Sequence, residues 1–188
     1  MHTRLDPPAR VCNLSRMKLA KQSAWPFFLV PFVVLADQLS KWLVLEEPRL
    51  NALNCLDRME YCGQVVLPGP LDFTMTWNRG MSYGLFQSDG IGRWILAAVM
   101  LIIALGFLAW LFKAEGRWLK FALALVIGGA FGNLIDRVRF GAVVDFIDAN
   151  GLFFPWIFNV ADAAISVGAV LLFIDQFLLS RPKQATSS

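Results

Sequence analysis

Residues 94–112 read WILAAVMLIIALGFLAWLF and contain no charged side chain. This length is close to the roughly 20 apolar residues that a helix needs to cross the ~30 Å hydrocarbon core of a bilayer. The whole chain agrees: 57% of its 188 residues are hydrophobic and only 16% are charged, against about 25% charged in average globular proteins. The sequence therefore predicts a membrane protein, and its length predicts a single domain.

Hydropathy along the chain predicts a mainly α-helical protein with four transmembrane helices. The first predicted helix carries Asp37 and Lys41, which are four residues apart and share a face where they can pair. A cleaved signal peptide is the alternative for this segment, because Val34 and Ala36 form a small-residue cleavage pattern. Cleavage would discard the charged pair, so we favour the spanning helix. The four predicted spans are residues 24–45, 91–112, 118–137 and 161–180.

Lysine and arginine are concentrated in the two terminal tails and in the link between the second and third spans. This bias predicts that both termini face the cytoplasm. We accordingly expect a cytoplasmic tail at residues 1–23, a membrane domain at 24–180 and a second cytoplasmic tail at 181–188. Two segments, 46–90 and 139–160, are then expected on the outer side.

The outer segments do not have the pattern of helices. Residues 71–78 are rich in β-formers, and Asn150-Gly151 is a hairpin signal within the β-rich run 141–154. A small extracytoplasmic β element is therefore predicted. Cys55 and Cys62 also lie in the first outer segment, where a disulfide and two unpaired thiols are equally compatible with the sequence.

Composition excludes several kinds of chemistry. The chain has one histidine, His2, and three cysteines without a CxxC pair, so histidine triads, multi-histidine metal sites and zinc knuckles are excluded. The net charge of +3 reflects basic tails, without the basic and aromatic stripe that is typical of nucleic-acid binding. Any catalysis must use other groups.

Polar residues gather near the predicted outer ends of the spans. An ionisable residue at the centre of a membrane helix costs roughly 2.5 to 3.5 kcal/mol on insertion scales, so it requires a partner or a function. The cluster consists of Asp37, Lys41, Asn133, Asp136, Arg137, Asp145, Asn159 and Asp162.

Several of these residues have a structural explanation. Asn133 and Arg137 share a helix face, and Arg137 beside Asp136 can anchor the span at the interface. Asn159 can be the N-cap of the fourth helix. Gly128 and Gly132, four residues apart, are typical of close helix packing.

Asp145 and Asp162 are harder to explain structurally, because no basic residue lies close to either in sequence. If residues 141–154 fold over the start of the fourth helix, the two carboxylates can face each other. Two such groups at close range cannot both ionise, so one remains an acid and the other a base, which can activate water on an amide. Aspartic proteolysis of this kind needs neither a metal ion nor a cofactor, and none is expected.

Four blocks of sequence stand out around these residues. They are DQLSK at 37–41, NRGMSYGLF at 78–86, GGAFGNLIDR at 128–137 continuing to VVDF at 143–146, and FNVAD at 158–162. In these blocks the chain resembles the lipoprotein signal peptidases, the signal peptidase II family. The resemblance covers about residues 25–177 and implies an intramembrane aspartyl protease of the bacterial inner membrane. It implies cleavage of prolipoproteins just before a cysteine that carries diacylglycerol, at a site near the outer leaflet.

By this resemblance Asp145 and Asp162 match the catalytic pair. Membrane lipids and diacylglyceryl-modified prolipoproteins are the implied partners, nucleic acid is not, and a monomer is expected. The outer segment 46–69 is longer than the usual first loop of the family, and its role is not indicated by the sequence. The residues expected to shape or support the site are Asp37, Lys41, Asn78, Gly80, Asn133, Asp136, Arg137, Asn159 and Ala161.

Two other functions are compatible with parts of the pattern. Membrane carboxylates near a lysine also suit a small proton-coupled transporter, although here they gather near one surface instead of lining a path across the bilayer. A noncatalytic assembly protein would need only packing motifs, and would leave Asp145 and Asp162 unexplained.

Overall fold

The computed structural model contains four long helices and one small antiparallel sheet. It describes residues 25–50, 52–56, 62–80, 91–153 and 155–179. Each helix is long and apolar enough to cross a membrane, which confirms the predicted four-span fold. The helices are α1 (Trp25–Leu45), α2 (Ile91–Lys113), α3 (Arg117–Phe140) and α4 (Val160–Ile174), and a π-helical turn at Asp175–Leu179 continues α4.

Most helix bounds lie within one residue of the predicted spans, and two bounds differ by more. Helix α4 ends at Ile174, six residues before the predicted end, where the π-helical turn takes over. Helix α3 continues three residues past Arg137 to Phe140. The helix ends where Gly141 adopts a left-handed conformation (φ 75°) and its N–H donates to the Arg137 carbonyl, a common glycine C-cap. The predicted tails at 1–23 and 181–188 lie outside the described residues.

Helix α3 is the centre of the bundle and packs against the other three helices. Half of its apolar window is buried, against 17 to 22% in the others, whose remaining surface is available to lipid. Small residues allow the close approach: a Cβ on Gly128 would lie 2.7 Å from Val33 Cβ, and one on Gly129 only 2.4 Å from the Ala161 carbonyl oxygen. The predicted packing role of Gly128 and Gly132 is confirmed, since a Cβ on Gly132 would meet Asp37 Oδ2 at 2.6 Å.

The predicted β element is a four-stranded sheet in the order β1-β2-β3-β4, with every pair antiparallel. It joins the segment between α1 and α2 to the segment between α3 and α4. Thr76 pairs with Asp145 in the register of the two central strands, and a bulge lies between Phe73 and Thr76. The strands are β1 (Gly63–Val65), β2 (Asp72–Asn78), β3 (Val143–Asp148) and β4 (Ile157–Phe158).

The predicted hairpin around Asn150-Gly151 is present as β3 and β4, but the two residues do not form a tight two-residue turn. They begin a 3-10 turn at Asn150–Leu152 inside a longer connection. Asp148 holds this turn, because its Oδ1 accepts hydrogen bonds from the Asn150 backbone and side chain at 3.0 and 2.7 Å. Side-chain contacts of this kind compete with the tight turn.

One face of the sheet covers its own apolar core. Leu50, Met75, Trp77 and Val144 are buried there against the end of α1 and the 3-10 turn Ala52–Cys55. A disulfide joins Cys55 to Cys62, with the two Cα atoms 5.8 Å apart. Of the two thiol states left open by the sequence, the structure shows the disulfide.

Candidate active site

A buried lysine lies at the end of the bundle that meets the sheet. Lys41 Nζ is 2.8 Å from Asp37 Oδ2 and 2.7 Å from Asp136 Oδ2, and it donates to Asn133 Oδ1 at 3.0 Å. The predicted pair of Asp37 and Lys41 is confirmed. Asp136 contacts Lys41 of α1 and points away from its neighbour Arg137, because residues adjacent along a helix point in different directions.

The two carboxylates on Lys41 also contact the neighbouring elements. Asp37 Oδ1 accepts the backbone N–H of Ala161 at 2.9 Å, at the start of α4. Asp136 accepts Gln38 Nε2 at 3.0 Å and the N–H of Val144 in β3 at 3.2 Å. These bonds connect α1, α3, α4 and β3. Gln38 was not predicted, although it lies inside the DQLSK block.

Asn159 is the N-cap of α4, as predicted, and it is fully buried. Its Oδ1 accepts the N–H of Asp162 at 2.8 Å, and the Asp162 carboxylate accepts the Asn159 N–H at 3.4 Å, which completes a capping box. Asn159 Nδ2 points the other way and donates to Asp145 Oδ1 at 2.7 Å. One asparagine therefore contacts both predicted catalytic residues.

Asn133 makes a second connection to this pair. Its Nδ2 donates to Asp162 Oδ1 at 2.7 Å, and its Oδ1 accepts both Lys41 Nζ and Asn159 Nδ2. The helix face that Asn133 shares with Arg137 is an incomplete explanation of this residue, because Asn133 also contacts Asp162, Lys41 and Asn159. Asn133 reaches α4 because Gly129 and Gly132, near it on α3, allow that helix to lie close to Ala161.

The second carboxylate oxygen of Asp145, Oδ2, accepts a hydrogen bond from a residue of β2. Asn78 Nδ2 donates to Asp145 Oδ2 at 3.0 Å, and the backbone N–H of Gly80 donates to Asn78 Oδ1 at 3.1 Å. The Gly80 bond orients the Asn78 amide so that its NH₂ group faces the carboxylate. Gly80 has a φ of 120°, a conformation that glycine adopts without strain.

Asp145 is buried and lies in the field of a second carboxylate. Burial and, to a smaller extent, the charge of Asp162 together raise the pKa of Asp145 to about 7. The hydrogen bonds from Asn78 and Asn159 and the charge of Lys41 act in the opposite direction. Near neutral pH the pair can therefore hold one proton, with Asp145 as the acid.

Arg137 lies close enough for its charge to interact with Asp145 and Asp162. Its Nη1 is buried without a hydrogen-bond partner among the described residues. Within the same part of the chain, neither Asp145 nor Asp162 forms an ion pair with lysine or arginine. The hydrogen bonds that the pair accepts therefore come from neutral amides, and the charges of Arg137 and Lys41 act on it without direct contact.

The predicted site residues lie together at the C-terminal end of α3, where the sheet covers the start of α4. Two neighbouring carboxyl groups, one an acid and the other a base, are the arrangement that aspartic hydrolysis requires. The class that the fold and site define is a membrane-embedded hydrolase.

Comparison with known proteins agrees with this class. The family model for signal peptidase (SPase) II matches residues 29–178. The lipoprotein signal peptidase of Caulobacter vibrioides is 40% identical over 169 residues, which are 89% of this chain and 95% of that protein. That of Pseudomonas syringae pv. tomato is 39% identical over 179 residues, 91% and 93% of the two chains. The chain belongs to the signal peptidase II family.

Solved structures support the same fold. One bacterial membrane enzyme at 2.3 Å resolution covers 89% of this chain with a TM-score of 0.65 and 27% identity, and 96% of that chain is covered. Another at 1.9 Å has a TM-score of 0.67, 26% identity and coverages of 85% and 96%. The protein is a multi-pass inner-membrane protease of the signal peptidase II type, and the transporter alternative is not supported.

Proposed function

We propose that this enzyme removes the signal peptides of prolipoproteins, cutting before a diacylglyceryl-modified cysteine, with Asp145 and Asp162 as its catalytic pair. The observation that carries this proposal is the hydrogen-bonded unit in which Asn159 and Asn133 hold the Asp145 carboxylate of β3 and the Asp162 carboxylate of α4. The lipoprotein signal peptidases to which the chain is similar support the choice of substrate.

The proposed reaction uses one proton that the pair shares. The ionised Asp162, which is partly exposed, takes a proton from water, and the hydroxide oxygen attacks the scissile carbonyl carbon. Asp145 donates its proton to the carbonyl oxygen, giving a neutral tetrahedral intermediate. When the C–N bond breaks, the proton on Asp162 passes to the leaving nitrogen, and Asp145 recovers its own proton from the collapsing hydroxyl.

The remaining site residues support this pair in our proposal. Asn133 and Asn159 orient the carboxylates, Asn78 and Gly80 hold Asp145 from the strand, and Arg137 compensates negative charge. The other four site residues form the buried framework beneath them. They are Asp37, Lys41, Asp136 and Ala161.

We place the site near the outer leaflet, with both termini in the cytoplasm. The lysine and arginine bias of the tails supports this orientation. The division into tails at 1–23 and 181–188 around a membrane domain at 24–180 belongs to the same proposal. Reporter fusions at Gln184 and Gly63 test it, since an external signal at Gln184 would put the pair on the wrong side.

We also propose that one chain suffices for activity. One chain supplies both carboxylates and the asparagine amides that hold them, which supports a site that is complete within a single copy. Turnover per chain should therefore stay constant when the enzyme is diluted in detergent across the range in which oligomers would dissociate. Activity that falls with dilution would contradict a monomeric enzyme.

The direct test of function uses purified full-length protein in detergent. We expect cleavage of a diacylglyceryl-modified prolipoprotein before its modified cysteine, and poor cleavage of the same precursor without lipid. The lipid contributes about 0.8 kcal/mol for each buried CH₂ and helps to position the scissile bond. Equal cleavage of both forms would contradict the proposed specificity, and EDTA should leave the rate unchanged.

A further inference from the structure

The disulfide lies in the long outer segment, away from the carboxylate pair. It joins the 3-10 turn Ala52–Cys55 to the residue before β1. We call residues 52–56 together with Cys62 the outer brace. Both cysteines are buried, at 8% and 7% exposure, so the disulfide is part of the core beneath the sheet.

Two side chains from the end of β2 reach the outer brace. Trp77 Nε1 donates to the Ala52 carbonyl at 2.7 Å, and Arg79 Nη2 donates to the Leu56 carbonyl. These two residues are the neighbours of Asn78 on either side. Trp77 is buried and Asn78 is exposed, because successive strand residues point to opposite faces.

The outer brace is also attached to the sheet through its backbone. The Cys62 N–H donates to the Met75 carbonyl at 2.9 Å, and Gly63 pairs with Met75 in the β1–β2 ladder. With only Gly63–Val65, β1 is too short to be stable by pairing alone. The Ala52 and Leu56 carbonyls accept the hydrogen bonds of Trp77 and Arg79. The disulfide therefore cross-links the segment that carries these carbonyls to the edge of the sheet.

We propose that the Cys55–Cys62 disulfide, with Trp77 and Arg79, is a positioning device that holds Asn78 against Asp145, so that cleavage depends on the redox state of the disulfide. This inference rests on the proposed function, because it takes Asp145 as catalytic. Trp77 and Arg79 are positioning residues, since both act through Asn78.

The predicted effect has a definite sign. Asn78 donates to the Asp145 carboxylate and so favours its ionised form. The other charges that face Asp145 are Lys41 of α1, Arg137 of α3 and Asp162 of α4, and none of them contacts the outer brace in the described structure. Releasing the brace should therefore weaken the Asn78 bond selectively and move the alkaline limit of activity to higher pH.

The first experiment compares the oxidised enzyme with enzyme reduced by a phosphine, using alkylation and mass spectrometry to count free thiols. We expect faster hydrogen exchange in β2 after reduction. We also expect kcat near neutral pH to fall about 2- to 12-fold, the equivalent of one net hydrogen bond, and the alkaline limit to rise. Unchanged exchange together with an unchanged pH profile would overturn the proposal.

A variant that keeps the disulfide provides the second test. Trp77→Phe retains an aromatic ring but removes the indole N–H, and it should produce the same shift of the alkaline limit. Reduction should add little to the effect of Trp77→Phe, because both act on one connection. Trp110→Phe is the matched control on α2, where the indole ring stacks on Phe107, and it should leave the profile unchanged.

The two proposals can fail separately. If Asp145→Asn retains full cleavage, the proposed catalytic pair is wrong. The attachment of β2 to the outer brace is tested separately by the hydrogen exchange of β2 after reduction, which does not depend on catalysis. If Asp145→Asn is inactive but neither reduction nor Trp77→Phe moves the pH profile, the positioning device alone is wrong.

Discussion

Two groups of carboxylates lie side by side in this protein and are held in different ways. Asp37 and Asp136 both contact Lys41 Nζ, at 2.8 and 2.7 Å. The carboxylates of Asp145 and Asp162 accept hydrogen bonds from asparagine side-chain amides and from the backbone N–H of Asn159. The first group is a charged framework, and the second is a pair without a direct cation.

The difference explains how one small region can be both rigid and reactive. Removing one partner from a buried carboxylate–ammonium pair leaves an uncompensated charge, so the fold requires that such a pair stay intact. A carboxylate held by neutral amides can gain or lose a proton while its donors stay in place. We therefore assign stability to the lysine group and chemistry to the amide-held group.

The largest effect should come from the amide-held pair. Asp145→Asn and Asp162→Asn should each lower turnover by roughly 100- to 10,000-fold or more, because each removes one half of an acid–base pair. Cleavage of the lipidated substrate measures this, with circular dichroism to show that the variants remain folded.

Asp148→Asn is the matched control for these variants. Asp148 is also a buried aspartate of β3, but its Oδ2 accepts Thr74 Oγ1 at 2.7 Å and its Oδ1 holds the 150–152 turn. Its replacement should leave most of the activity. Equal losses in Asp145→Asn and Asp148→Asn would remove the distinction between catalytic and structural carboxylates on this strand.

Changes in the lysine group should affect stability first. Lys41→Met leaves two buried carboxylates without their cation, at a cost of about 3 to 5 kcal/mol, and thermal unfolding in detergent measures the loss. Asp37→Ala should cost less, because Asp136 still pairs with Lys41. The double change Asp37→Ala with Lys41→Ala should be milder than the sum of the single changes.

The observation that would contradict this assignment is specific. If Asp37→Ala keeps its melting temperature but loses turnover, the lysine group acts on substrate, and the division between the two groups is wrong.

The two groups meet because α3 approaches α4 closely, and this contact can be tested alone. Gly129→Ala would place a Cβ 2.4 Å from the Ala161 carbonyl oxygen and should destabilise by about 1 to 3 kcal/mol. Gly106→Ala is the control, since a Cβ there meets nothing within 4 Å. It should be neutral or slightly stabilising, and equal melting temperatures for the two variants would argue against the packing.

The smallest effect concerns pH. Because burial and Asp162 raise the pKa of Asp145 to about 7, its proton is lost above that pH, and turnover should fall about tenfold for each further pH unit. The native protein binds a proton that the unfolded chain releases, so the stability from Asp145 is present below pH ~4 and is lost as pH rises through about 7.

This second consequence can be measured without substrate. Asp145→Asn cannot ionise, so its melting temperature relative to the native enzyme should rise between pH ~4 and about 7. A difference in melting temperature that stays constant over this range would show that Asp145 titrates normally.

Much of the architecture was determined by the sequence, because its signals are local. The length of each apolar run predicts a spanning helix whatever surrounds it, and the spacing of Asp37 and Lys41 places them on one face. Asn159 and Asp162 form their capping box within a single helical turn. The resemblance of the four blocks added the names of the site residues, but no contact between them.

Tertiary structure alone decided which polar groups meet. Asp136 pairs with Lys41 across 95 positions of the chain instead of with its neighbour Arg137. The two meet because Gly128 and Gly132 allow α3 to approach α1 closely. Asn78 reaches Asp145 because the β2–β3 register places two distant segments together. The disulfide likewise depends on the approach of two cysteines in a folded segment. The Asp136–Lys41 and Asn78–Asp145 contacts join residues far apart in sequence, so no local pattern encodes them. The two cysteines are only seven positions apart, but their pairing still depends on how that segment folds.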